Sequence, residues 1–163
     1  MKPGYKDRSL MHNSALACFL LASFTKRYQT HTANTRHPGF DKLLLVLPLV
    51  WHGPSRRSIA PRNFDTALHV VLSDEPRILE GLAARVSAHA AATCQGLNIA
   101  CGTGLLVKRS NDEGVEFAFE RGHWPRGSSP KGIPGDMAGT VLRLANWFKD
   151  YTAAELFAML GLI

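Results

Sequence analysis

Residues 75–120 read EPRILEGLAARVSAHAAATCQGLNIACGTGLLVKRSNDEGVEFAFE. Within this stretch Ile78, Leu79, Leu82 and Val86 fall on one stripe at helical spacing while Arg77, Glu80 and Arg85 lie off it, which predicts a helix from Glu75 to about Ala90. Ser73 or Asp74 is its expected cap. Glu75 and Pro76 suit a first turn, where an acid meets the helix dipole and a missing N–H costs nothing. Thr93 is the expected cap of a second, short helix to Cys101, with Leu97 and Ala100 facing inward and Gly102 as its stop. After Gly104, Leu105 to Arg109 reads as a strand, Asn111-Asp112-Glu113-Gly114 as a turn and Val115 to Glu120 as the return. In that return Val115, Phe117 and Phe119 alternate with Glu116, Ala118 and Glu120, the period of a half-buried strand. Helix, turn, helix, hairpin is the order of a winged helix-turn-helix. The expected fold is therefore mainly α with a small β-hairpin, a single winged-helix-like domain with flanking N- and C-terminal helices.

Working outward, Asn13 or Ser14 caps a helix to about Gln29 whose Leu16, Phe19, Leu20, Leu21 and Phe24 are apolar on most sides, which predicts deep burial. Residues 1–12 read as a flexible tail, so the expected domain spans 13–163. Thr30 to Gly39 reads as a loop, and Phe40 to Trp51 as a short helix bent or ended near Pro48. His52 to Arg62 holds two prolines and reads as irregular. Asn63 heads a brief helix with Phe64, Leu68, Val71 and Leu72 on one face. Arg121 to Gly135 reads as a long loop. Asp136 then caps a helix in which Met137, Val141, Leu144, Ala145 and Phe148 keep the helical rhythm. Thr152 and Glu155 have capping-box spacing, ahead of a last helix with Leu156, Met159, Leu160 and Ile163 inward.

A chain of 163 residues, 45% hydrophobic and 20% charged, builds one core without disulfides or metal. Cys18, Cys94 and Cys101 are odd in number with no C-x-x-C pair, which fits reduced thiols in the cytoplasm. Lys2, Lys6 and Arg8 before the apolar run Ala15 to Phe24 imitate a signal peptide, but no small-x-small cleavage site follows. Leu43 to Trp51 is far shorter than the roughly 20 residues a spanning helix needs. The expected protein is cytoplasmic, with no membrane partner.

No reaction is legible. Gly102-Thr103-Gly104 follows a helix and precedes a strand, the reverse of a phosphate-cradling loop, and no Gly-Lys-Ser/Thr follows. His12, His31, His37, His52, His69, His89 and His123 include no H-E-x-x-H pair. Cys94 and Cys101 would share a face on a continuous helix, which ordinary packing explains without a metal. No catalytic residue, metal, cofactor or small-molecule substrate is expected.

The net charge of +6 admits a polyanion or an acidic protein as partner. A winged helix often reads DNA with its second helix. Here Thr93 to Cys101 holds no Arg or Lys, leaving Gln95 and Asn98 for base edges without cations for phosphates. The basic residues lie in two other segments. Trp51, His52, Arg56, Arg57 and Arg62 form one, and Trp124, Arg126 and Lys131 the other. Each pairs an aromatic with arginine, as interface anchors do. A protein-docking patch, a solvated basic face and a nonspecific polyanion groove all fit that pattern.

Several short motifs add a resemblance. Asn13-Ser14-Ala15-Leu16 is similar to an Asn-Pro-Ala-Leu start, with Ser14 in place of the proline. Leu47-Pro48-Leu49-Val50-Trp51-His52-Gly53-Pro54, followed by Arg56 and Ala60-Pro61-Arg62, is an apolar-then-proline signature. Gly104-Leu105-Leu106, Trp147-Phe148 and Phe157-Ala158-Met159-Leu160-Gly161 complete the set. Together, over roughly 13–163, they resemble the middle component of bacterial three-component ABC systems. The resemblance implies a noncatalytic adaptor encoded beside an ABC ATPase and an effector component in a predicted antiphage conflict operon. It brings no catalytic residues. DNA or other polyanion binding is the alternative.

Overall fold

The computed structural model describes residues 13–126 and 130–163, and the tail expected over 1–12 lies outside the described residues. Helix α1, Ser14–His31, is the centre of the molecule. The Asn13 carboxamide accepts the Leu16 N–H at 2.9 Å, satisfying one orphan donor of the first turn. Ala17, Leu20, Leu21, Ala22 and Phe24 are fully buried, as an all-round apolar helix requires.

Helices α2 (Phe40–Leu43) and α3 (Val46–Val50) replace the one element expected over 40–51. The break falls at Leu44–Leu45. Pro48 sits instead in the first turn of α3, where its missing N–H is no loss. His52 to Arg62, expected to be irregular, contains helix α4, Gly53–Ile59. Pro54 starts that helix for the same reason, so the residue taken as a breaker is an initiator. Helix α5, Leu68–Asp74, opens at Ala67 rather than Asn63. Leu68, Val71 and Leu72 are buried while Phe64 stays 43% exposed under the Arg143 guanidinium, 4.6 Å from its ring centre.

The central expectation fails at the turn. Pro76–Ile78 is a 3-10 turn, Gly81 adopts φ +64°, and a single helix α6 then runs Leu82–Gly102 without interruption. Ala90, Ala91 and Ala92 lie where a turn was expected; alanine has the highest helix propensity, and no glycine or proline stands there to oppose it. Arg85 secures the start, donating to the carbonyls of Ile78 (2.8 Å), Pro48 (3.2 Å) and Glu80. The two helices on which the winged-helix reading rested are thus one rod of roughly 30 Å.

Strands β1 (Val107–Asn111) and β2 (Gly114–Ala118) form the expected hairpin, with Lys108 opposite Phe117 and Asn111 opposite Gly114. The far edge of β2 is covered, because the Phe117 N–H donates to the Pro38 carbonyl at 3.1 Å. Phe119, just past β2, is held by Gln29 of α1: its carbonyl accepts from Nε2 at 3.0 Å and its N–H donates to Oε1 at 2.6 Å. The side-chain amide therefore imitates a neighbouring strand.

Helix α7, Gly135–Phe148, packs on α1, as α6 does, and buries all five residues expected to face inward. Pro134 takes the cap position and Asp136 lies in the first turn. The capping box of α8, Ala153–Met159, forms as read, with the Thr152 N–H to Glu155 at 2.7 Å and the return bond at 3.2 Å. Leu156 and Leu160 are buried, whereas Ile163, past the helix end, is 82% exposed. The domain is mainly helical with one two-stranded antiparallel hairpin. Among the described residues no helix is long and apolar enough to cross a membrane.

Candidate functional site

The first basic segment is spent largely on the fold. Trp51 is 4% exposed and meets His89 of α6 edge-on at 5.4 Å. Nδ1 of His52 lies 2.7 Å from the Ser55 hydroxyl. Arg56 donates to Asp136 of α7 and to the Val50 carbonyl, both at 2.9 Å. Arg62 reaches Asp74 at 3.0 Å and Glu75 at 3.6 Å, bridging to the end of α5. Arg57 alone of its arginines is exposed. Arg56 thus fastens α4 to α7, Arg62 just past the helix ties the segment to the end of α5, and Arg57 is left outward.

The second segment is anchored elsewhere, against α1 and the hairpin exit. Trp124 is half-buried, T-shaped on Phe119 at 5.2 Å and tilted against Phe19 at 6.1 Å. The Lys26 ammonium lies 5.2 Å from the Phe119 ring and 5.7 Å from the Trp124 ring, a cation–π pair that leaves its charge at the surface. Arg126 and Lys131 are exposed.

Two concavities stand out among the described residues, and of these the smaller touches the second segment. The larger, about 750 Å³, lies between the hairpin tip, Gly39–Lys42 and the α7–α8 connection. Several of its charges serve structure. Lys42 is buried, donating to the Phe148 carbonyl at 2.8 Å and the Tyr28 hydroxyl at 3.0 Å. Lys149 is bound to Asn146 and Asp150, Glu155 belongs to the capping box, and Asp41 accepts the Lys42 N–H. The smaller, about 350 Å³, is a hollow between Cys18 and Phe19 of α1, Ile99 near the end of α6, and Leu105, with Pro125 and Arg126 at its margin.

Burial pushes the Cys18 thiol up, and Cys101 adds to the shift; burial also raises Cys101 despite the opposing charge of Lys108. Both are therefore poor nucleophiles at neutral pH. Among the described residues no three His, Cys, Asp or Glu side chains converge as a metal site.

Ile99 and Lys42 were missed in the sequence. The signal for Ile99 depends on reading α6 as one helix: Leu82, His89, Ala92, Thr93, Gly96, Leu97 and Ala100 then form the buried stripe, and Ile99 is an apolar residue off it, 39% exposed. Lys42 gave no signal, since its neighbours Asp41 and Leu43 suggest nothing but a helix surface.

A family model described as "ABC-three component (ABC-3C) system Middle Component 3" matches residues 5–162. No curated protein and no solved structure matches the chain.

Proposed function

The chain belongs to the ABC-three component system Middle Component 3 family, and from that premise we propose that it is a noncatalytic adaptor passing a signal between an ABC ATPase and an effector component of an antiphage defence system. The family name implies a three-component system with an ABC ATPase component. The adaptor role is supported by the way charge is used. In the larger concavity Asp41 and Glu155 accept backbone N–H groups, Lys42 donates to a backbone carbonyl and Lys149 pairs with Asp150. The exposed cations Arg57 and Arg126 sit on the exterior of the fold, where partner surfaces reach them.

The single observation that favours protein over nucleic acid is the composition of α6. Its one cation, Arg85, is tied to three backbone carbonyls and is not available to a phosphate. A helix laid in a groove of DNA needs phosphate contacts beside its base contacts.

The test is copurification of the full chain with the neighbouring ATPase and effector components, comparing wild type with Arg57→Glu. Arg56 is unsuitable for charge reversal because it holds α4 to α7. The variant is expected to lose partner while its melting temperature stays within about 2 °C, as for an exposed substitution. Unchanged copurification removes Arg57 from the interface. Duplex DNA binding that falls by orders of magnitude from low to moderate salt would replace the adaptor reading with the polyanion one.

A further inference from the structure

We infer that the hollow between α1 and the end of α6 is a receptor for a large apolar side chain carried on an acidic segment of a partner protein. The inference rests on the adaptor reading and assigns it a contact point. The floor is apolar: Cys18 and Leu105 are buried, Phe19 is half-buried, and Ile99 is 39% exposed. At about 350 Å³ it lies at the small end of the range for concave binding sites and has room for a large apolar side chain. Thr103 lines it too, but its hydroxyl donates to the Ile99 and Ala100 carbonyls at 2.8 and 3.3 Å, so it asks no hydrogen bond of an occupant. An apolar group is what such a surface desolvates without penalty.

The charge around the hollow selects the flanking residues. Arg126 is on the rim, and no Asp or Glu is among the lining residues. Lys26 lies beside Trp124 on the same flank of α1. Arg121 donates through Nε to the Gly104 carbonyl at 2.9 Å, so its guanidinium is held where the chain leaves α6. An apolar anchor within a cationic rim is the pattern of a binding hot spot for an acidic sequence.

The probe is a capped peptide, Glu-Asp-Leu-Leu-Asp-Glu, titrated into the 15N-labelled full chain. Two controls carry lysine in place of the acids or serine in place of the leucines. Shifts centred on Ile99, Thr103, Leu105 and Arg126 are expected, with at least about tenfold weaker binding for either control and for Arg126→Glu. Equal binding of a control, or shifts centred elsewhere, overturns the inference. So do contacts from the Ile99 and Leu105 methyls to residues 1–12, which would make the occupant the chain's own segment. Self-association abolished by Ile99→Glu would make it a second copy, with the same consequence. Copurification of the ATPase and effector components, run in parallel, separates the failures: wild type capturing neither sinks the adaptor reading, whereas Ile99→Glu and Arg126→Glu both retaining capture sinks the hollow alone.

Discussion

Replacing Gly96 by alanine tests how tightly the two long helices meet. Gly96 is buried in the middle of α6, and a Cβ built there would lie 2.9 Å from the Ala17 Cβ and 3.0 Å from both the Ala17 carbonyl carbon and the Cys18 nitrogen. Helix propensity alone favours the change by about 1 kcal/mol. Overpacking opposes it by about 1–3 kcal/mol. The upper end applies, because the obstructing atoms are backbone and a Cβ that no rotamer moves aside. The expected net loss is therefore roughly 2 kcal/mol, or about 4–8 °C in melting temperature for a chain of this size. Urea denaturation monitored by circular dichroism measures the free energy directly. Gly102, the last residue of α6, has nothing within 4 Å of its would-be Cβ and serves as control. Gly102→Ala should be neutral or stabilising by up to about 1 kcal/mol. In a double-mutant cycle Ala17→Gly, which costs about 1 kcal/mol in helix propensity by itself, should cost less beside Gly96→Ala than alone, since it removes the shortest of the three contacts. If Gly96→Ala matches or exceeds wild-type stability, the close approach of α1 and α6 is wrong.

Two further perturbations address other parts of the fold. Arg85→Lys cannot keep all three backbone bonds at the entry to α6 and should lower stability by roughly 1.5–3 kcal/mol, read by the same denaturation; no loss would mean the guanidinium is ornamental. Burial, then the charges of Lys149 and Arg27, hold the His31 imidazole below its ordinary value of 6.5. As pH falls below 6.5 the unfolded chain takes the proton first, so stability present above that pH is lost on the way down to the folded value. The slope from this one group is at most about 1.4 kcal/mol per pH unit. His31→Gln should flatten the stability profile between pH 7 and 5.5, and an unaltered profile would refute the assignment.

How much was legible in the sequence follows from which signals were local. Helix α1 was readable because its apolar residues recur on every side and Asn13 stands at its start. The capping box of α8 depends on two residues three apart and formed as read. The hairpin turn was legible in Asn-Asp-Glu-Gly, although Ala118 is buried along with Phe117, so both faces of the hairpin's base are covered and alternation breaks down there. The boundary of α6 was not readable, because it is set by Gly81 in the left-handed region and by Arg85 reaching back to Pro48, 37 residues away. Proline misled twice, at Pro48 and Pro54, since the residue that breaks a helix interior also begins a helix. Of the eight candidate contact residues, Trp51, Arg56 and Arg62 have intramolecular partners that lie far away in sequence or in the next element, which no local window contains.

The amide of Gln29 carries a mechanical implication. It supplies one donor and one acceptor to Phe119, an arrangement no carboxylate reproduces, since glutamate there would face the Phe119 carbonyl with a second acceptor. The exit of the β-ribbon is therefore tied to the central rod by a donor and an acceptor at once, and Gln29→Glu would exchange one of the two bonds for a repulsion.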